Sequence, residues 1–141
     1  VMESLGSGVL LGYPVVDVAV ALVGGTHKES SSSPLAFKVA ASMACKEGLQ
    51  KAKPLLLEPI MAVEILVPEA FMGDAIGDIN ARGGKIENLE RRGEIQIVDA
   101  TIPLSKMFGY STALRSATQG RATYTMHFSR YDRVLEPLKA L

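Results

Sequence analysis

The sequence predicts an α+β chain. Residues 58–134 read as a ferredoxin-like split βαβ sandwich (βαββαβ), residues 1–57 as the C-terminal half of a second α/β domain, and residues 135–141 as a tail. Three observations support this. From 59 to 129, apolar β-branched runs and helix-period segments follow one another as β-α-β-β-α-β, the order of an antiparallel sheet with both helices on one face. The residues before 58 supply one firm strand and one helix, too little to bury the apolar face of either. That part is therefore expected to be the end of a domain whose beginning lies elsewhere. Finally, the 141 residues are 48% hydrophobic and 21% charged, which fits a packed chain and excludes general disorder.

The elements of the first part follow from periodicity and punctuation. Gly6, Gly8 and Gly12 stand among apolar residues without a start signal. Tyr13–Val23 alternates, with Val16, Val18, Val20 and Leu22 on one side, and its β-branched content predicts a strand. Gly24-Gly25 ends it, and a serine-rich loop runs to Ser33. Ser33 followed by Pro34 is a helix start, with an oxygen acceptor at the cap and proline where its missing N–H does no harm. Leu35, Val39 and Met43 form one helical stripe, Lys46, Lys51 and Lys53 suit the C-terminal dipole, and Pro54 stops the helix.

In the second part, Ile60–Val67 is apolar and β-branched and predicts a strand. Pro68-Glu69 opens a helix with Met72, Ile76 and Ile79 facing inward. Gly73 and Gly77 cost that helix about 1 kcal/mol each against Ala, so something is expected to approach its backbone closely. Gly83-Gly84 closes it. Lys85–Arg91 and Glu94–Ile102 predict a hairpin around Arg92-Gly93. The slip in phase from Ile95 and Ile97 to Val98, Ala100 and Ile102 implies a bulge or a strand buried on both faces. Pro103–Ala117 is helical, bent near Gly109 and closed by Gly120. Arg121–Phe128 is the last strand. Its Ala122, Tyr124, Met126 and Phe128 share the face expected to be buried.

Charge and composition exclude several functions. Fifteen Lys and Arg balance fifteen Asp and Glu, which argues against a broad basic field but leaves room for a local patch. One cysteine, Cys45, excludes a disulfide framework and any multi-cysteine metal site, and it reads as a small buried hydrophobe. With His27 and His127 the only histidines, no metal site is expected. No run is apolar and long enough to span a bilayer, and no signal-peptide pattern opens the chain, so a soluble intracellular protein is expected. No nucleophile set or paired acid–base carboxylates stand out. Asp74 and Asp78, one helical turn apart, read as a solvated face.

Several motifs then resemble a known family. Gly12-Tyr13-Pro14-Val15-Val16-Asp17, the run Ala36–Met43 and Leu57-Glu58-Pro59-Ile60-Met61 resemble the C-terminal third of bacterial elongation factor G. So do the runs Met72–Asp78, Met107-Phe108-Gly109-Tyr110 and Leu114–Arg121, all in register. The resemblance implies a multi-domain translational GTPase that drives tRNA–mRNA movement on the ribosome and takes part in ribosome recycling, in the cytoplasm. Residues 1–57 would belong to the fourth domain, the arm that enters the decoding region. Residues 58–134 would be the fifth domain, resting on large-subunit rRNA. The upstream domains of the parent factor, with GTP and magnesium, would be further partners. No cofactor is expected in this chain, which lacks a G-x-x-x-x-G-K-[ST] loop and should be inactive alone. The chain departs from the family at Arg82-Gly83-Gly84, where two arginines usually precede glycine. It departs again at His27-Lys28 and Ser31, where an aromatic-histidine pair and an acidic residue are usual.

The candidate rRNA- and ribosome-binding residues are Arg82, Arg91, Arg92, Arg115 and Arg121 at element ends of the second part, with His27 and Lys28 in the serine-rich loop. The planar guanidinium fork suits phosphate. The plainer reading makes these arginines solvated partners of Glu87, Glu90 and Glu94, with Arg91-Arg92 guarding a sheet edge. Phe108 could stack on a nucleotide, but the position reads better as core filling between helix and sheet. An RNA-recognition motif shares the βαββαβ order, yet its K/R-G-F/Y-G/A-F signature is absent. A second functional class also fits the fold, a stand-alone regulatory or dimerisation module binding a small ligand.

Overall fold

The computed structural model describes residues 1–135, so most of the segment read as a tail lies outside the described residues. Two compact units divide at Leu56/Leu57.

The first unit contains a short helix α1 (Met2–Leu5) and a long helix α2 (Pro34–Lys51). α2 starts as predicted. Ser33 is extended, and its hydroxyl accepts from the Ala36 N–H at 3.1 Å, with Pro34 at the first helical position. Glu3 and Lys38 pair at 2.7 Å, and that hydrogen bond and charge lower the Glu3 pKa below its ordinary value.

The strand predicted over Tyr13–Val23 is not formed. The element order has no strand before Leu57 among the described residues. The segment's backbone hydrogen bonds are Gly8 N–H to Tyr13 O and Val15 N–H to Leu5 O, both near its start. A β-branched run becomes a strand only when a neighbour takes its N–H and C=O groups, and this unit offers none. Leu22 and Val23 are 93% and 97% exposed as a result. For the same reason the Leu35, Val39 and Met43 stripe of α2 stays exposed, with no sheet in the unit to cover it. Cys45 is half-buried rather than buried.

The second unit is the predicted α+β sandwich. Its elements are β1 (Leu57–Pro68), α3 (Met72–Ala81), β2 (Lys85–Arg92), β3 (Ile95–Pro103), α4 (Tyr110–Ala117) and β4 (Thr123–Arg133). Single 3₁₀ turns, Glu69–Phe71 and Leu104–Lys106, lead towards the two helices. The sheet order is β2-β3-β1-β4, with every neighbouring pair antiparallel. One face carries the core, in which Val63, Ile65 and Val67 of β1 meet Val98, Ala100 and Ile102 of β3 under Ala75, Ile79, Tyr110 and Leu114 of the helices. β1 and β3 lie in the middle of the sheet and supply most of its buried residues. Of the two causes suggested for the phase slip, burial on both faces applies, since β3 pairs with β1 without a break in register and the bulge falls in β2 instead. Gln96, Ile97 and Val98 are buried in succession. Opposite Asp99–Ala100, β2 inserts Glu87 as an unpaired extra residue between Ile86 and Asn88.

Two further expectations are corrected. A Cβ built on Gly73 or Gly77 meets nothing within 4 Å, so no protein atom crowds either glycine among the described residues. The crowding lies beyond the end of the helix. A Cβ on Gly84 would meet Ile79 Cγ2 at 2.7 Å and Ile102 Cγ1 at 2.8 Å, because here the chain leaves α3 directly over the sheet. The face of β4 expected to be buried is buried only at its start. Ala122 and Tyr124 pack on the core, while Met126 and Phe128 are 41% and 52% exposed. β4 is an edge strand, and α4, only eight residues and therefore about 12 Å long, meets it at Tyr124.

Candidate nucleic-acid interface

Charge is distributed unevenly in the second unit. Between Asp99 and Asp132 the chain has no Asp or Glu, yet it carries Lys106, Arg115, Arg121, His127 and Arg130. This stretch builds the 3₁₀ turn, α4, the turn after it and most of β4. Asp78 and Glu58 approach its α4 end from elsewhere among the described residues. Asp78 is engaged by Arg82, and Glu58 accepts from the Ser105 hydroxyl at 3.4 Å. The helix-free face of the sheet has the opposite character. Glu64 and Asp99 stand directly across from each other on β1 and β3, beside Glu87, whose carboxylate accepts from Thr101 at 3.1 Å. Together with Thr125 and His127 they line a shallow depression on that face.

Arg115 and Arg121 flank the turn that ends α4. Gln119 and Gly120 both take positive φ there, the Gly120 N–H donates to Arg115 O, and the Arg121 N–H donates to Thr118 O. Thr118, fully buried, ties the turn down. Its hydroxyl donates to Leu114 O at 2.7 Å and accepts from the Ala122 N–H at 3.2 Å. Both arginines are exposed, and neither forms an ion pair among the described residues. Arg121 lies 6.0 Å from the Phe71 ring, close enough for a weak cation–π contact that leaves its outer face open. A free guanidinium on a rigid turn is well suited to a phosphate.

Arg82 is placed differently. Its side chain is only 17% exposed, and Nε pairs with Asp78 at 2.8 Å. Nη1 donates to the carbonyls of Lys106 at 2.6 Å and Phe108 at 3.2 Å, and the guanidinium stands 5.1 Å from the centre of the Tyr110 ring. Its hydrogen-bonding capacity is thus directed into the protein, linking the C-terminal end of α3 to the loop before α4. Arg91 and Arg92 stand at the β2–β3 tip, where Gly93 turns the chain at φ +64°. Arg91 donates to Gly93 O and pairs with Glu69 at 3.1 Å, and Arg92 pairs with Glu90 at 2.9 Å. The hydrogen bond and charge of Glu90 raise the Arg92 pKa. All four side chains are well exposed, so these pairs contribute little and exchange readily for other anions. His27 and Lys28 belong to the other unit. The His27 ring stacks parallel to Phe37 at 6.0 Å, and the Lys28 N–H donates to Ser32 Oγ. The fold therefore brings Arg115 and Arg121 to one turn and Arg91 and Arg92 to one hairpin tip, while Arg82 turns inward.

The site also contains a residue whose exposure runs against the sequence reading. Phe108, expected in the core, is 82% exposed. Its neighbours Met107 and Tyr110 are the ones that point inward, and Gly109 at φ +74° swings the chain between them. An aromatic beside two core residues reads as core in one dimension. The absence of acids over the following residues is the available signal that this surface is different.

Two family descriptions match the chain. Residues 55–140 match "Elongation factor G C-terminus", and residues 1–53 match "Elongation factor G, domain IV". A crystal structure of a protein from Thermus thermophilus superposes with a TM-score of 0.84 at 39% sequence identity. The match covers 95% of this chain and 20% of that one, so the chain spans about a fifth of the length of that relative.

Proposed function

The chain belongs to the elongation factor G family, and on that premise we propose that it is the ribosome-binding C-terminal portion of a translation factor, supporting GTP-driven tRNA–mRNA translocation and ribosome recycling in the cytoplasm. Residues 1–57 serve as part of the arm that enters the decoding region. The ferredoxin-like unit docks on large-subunit rRNA and holds that arm, so that nucleotide-state changes in upstream domains become arm movement. Its role is mechanical, with GTP and magnesium handled by those upstream domains.

The observation that carries this reading is the acid-free stretch around α4, with Arg115 and Arg121 free of ion pairs among the described residues on a turn pinned by Thr118. A few placed cations on a chain of zero net charge suit docking at one site better than a general grip on nucleic acid. The acidic sheet face repels a phosphate backbone, which favours the α4 side as the RNA-facing one.

Co-sedimentation of the full chain with large ribosomal subunits across a salt series tests this. Arg115→Ala with Arg121→Ala should weaken binding and flatten the logarithmic salt dependence by about one to two units. Affinity and slope equal to those of the unaltered chain would remove the α4 side from the interface.

A further inference from the structure

We propose that Phe108 is a base-stacking residue of this interface and that Arg82 is the residue that positions it; the inference rests on the ribosome-binding reading above. Phe108 is 82% exposed, yet it does not hang on a loose loop. Its own carbonyl and that of Lys106 are both held by Arg82 Nη1, at 3.2 and 2.6 Å. Arg82 is in turn fixed by Asp78 at 2.8 Å and lies against the Tyr110 ring. On either side of the ring, Met107 and Tyr110 are buried, and Gly109 takes a left-handed conformation that carries no steric penalty for a glycine. A phenylalanine on a mobile segment lowers its free energy by folding its ring against the protein. Here the backbone is strapped on both sides and the ring is held in water.

The surroundings indicate what covers it. The stretch from Ala100 to Tyr131 has no carboxylate side chain, and Lys106, Arg115 and Arg121 lie within it. An exposed ring on an acid-free stretch that also carries Arg115 and Arg121 suits an unpaired nucleotide, whose base stacks while its phosphate meets a guanidinium. An apolar pocket on a protein partner would need the ring and not the charges.

The test uses the full chain and large ribosomal subunits at fixed salt. Stacking on one base is worth a factor of about 5 to 150 in affinity, so Phe108→Ala should weaken binding at least about fivefold. Phe108→Leu should lose as much, because it keeps apolar area but not the ring plane, and Phe108→Trp should bind like the unaltered chain. All three should melt as the unaltered chain does, since the ring is exposed. Arg82→Ala should weaken binding with Phe108 present and add no further loss in the Phe108→Ala background, and Arg82→Lys should restore part of the affinity. A merely structural role for Arg82 would give the same loss in both backgrounds. A photoreactive benzophenone amino acid at position 108 should cross-link to RNA.

Cross-linking to ribosomal protein alone, or full affinity in Phe108→Leu, would overturn the proposal. If Phe108→Ala binds normally while Arg115→Ala with Arg121→Ala does not, the ribosome-binding reading stands and this inference falls. If the unaltered chain fails to bind large subunits, both fall.

Discussion

The guanidinium of Arg82 lies 5.1 Å from the centre of the Tyr110 ring while its nitrogens reach Asp78, Lys106 O and Phe108 O. One side chain thus joins the end of α3 to the loop that begins α4, across a junction that is otherwise filled by the apolar packing of Ala75 and Ile79 with Tyr110 and Leu114.

Removing that link should be costly. Arg82→Ala leaves Asp78 without its partner and two carbonyls without a donor. A destabilisation of about 2–3 kcal/mol is expected, since charge-assisted hydrogen bonds contribute about 1.5–3 kcal/mol. Arg82→Lys should recover less than half, because an ammonium cannot reach in three directions from a planar fork. Urea unfolding of the three proteins measures this, and a loss below about 0.5 kcal/mol, the level of an exposed pair, would contradict it.

Tyr110 is fully buried, and its hydroxyl has no hydrogen-bond partner among the described residues. Burial pushes its phenol well above the ordinary range, Asp78 adding to the effect and Arg82 opposing it. Tyr110→Phe should therefore stabilise the fold or leave it unchanged at neutral pH, since an unsatisfied buried hydroxyl costs about 1–3 kcal/mol. The pH dependence has a defined sign. Above about pH 10 the unfolded phenol loses its proton while the folded one keeps it, so stability falls as pH rises from there. Tyr110→Phe should lack that part of the decline, as denaturation at about pH 8 and about pH 11, either side of the ordinary phenol range, would show in both proteins.

Glycines in the second unit should respond in opposite directions. Gly84→Ala forces a methyl into Ile79 and Ile102 and should destabilise by about 1–3 kcal/mol. Gly73→Ala and Gly77→Ala place a methyl in open space on a helix and should each stabilise by up to about 1 kcal/mol. Thermal midpoints moving the same way for Gly84 and Gly73 would count against this packing.

On the open sheet face, Glu64 sits directly opposite Asp99. Like charges across a strand pair repel, so Glu64→Gln should raise stability by a few tenths of a kcal/mol, up to about 1. The gain should shrink in high salt as screening removes the repulsion. A salt-independent change would point to packing instead.

How much of this is readable in one dimension differs between the units. In the second, the element order, the bend at Gly109, the closing turn at Gly120 and the inward Ile79 are all legible. Each depends on residues near in sequence or on a sharp period. The α2 start at Ser33-Pro34 is legible for the same local reason. Tyr13–Val23 misleads because a strand is a property of two chains, and alternation says nothing about whether a neighbour is present. Gly73 and Gly77 mislead in a related way. A costly glycine signals close approach, but whether anything is stacked against it depends on the fold.

The site divides along the same line. Candidate arginines can be picked out because charge and turn position are local facts. Their roles cannot, since whether a guanidinium faces water or a carbonyl is settled by elements distant in sequence. Arg82 meets Phe108 twenty-six residues on, and only the packing of α3 beside α4 directs its donors into the protein. That contact also fixes the backbone from which Phe108 faces outward. Composition and periodicity thus determine the βαββαβ order, the balanced charge and the acid-free stretch, because they are sums over neighbours in the chain. Which cations remain free, and which aromatic ring faces solvent, is decided when helices and sheet meet, because burial is shared between residues that the chain keeps far apart.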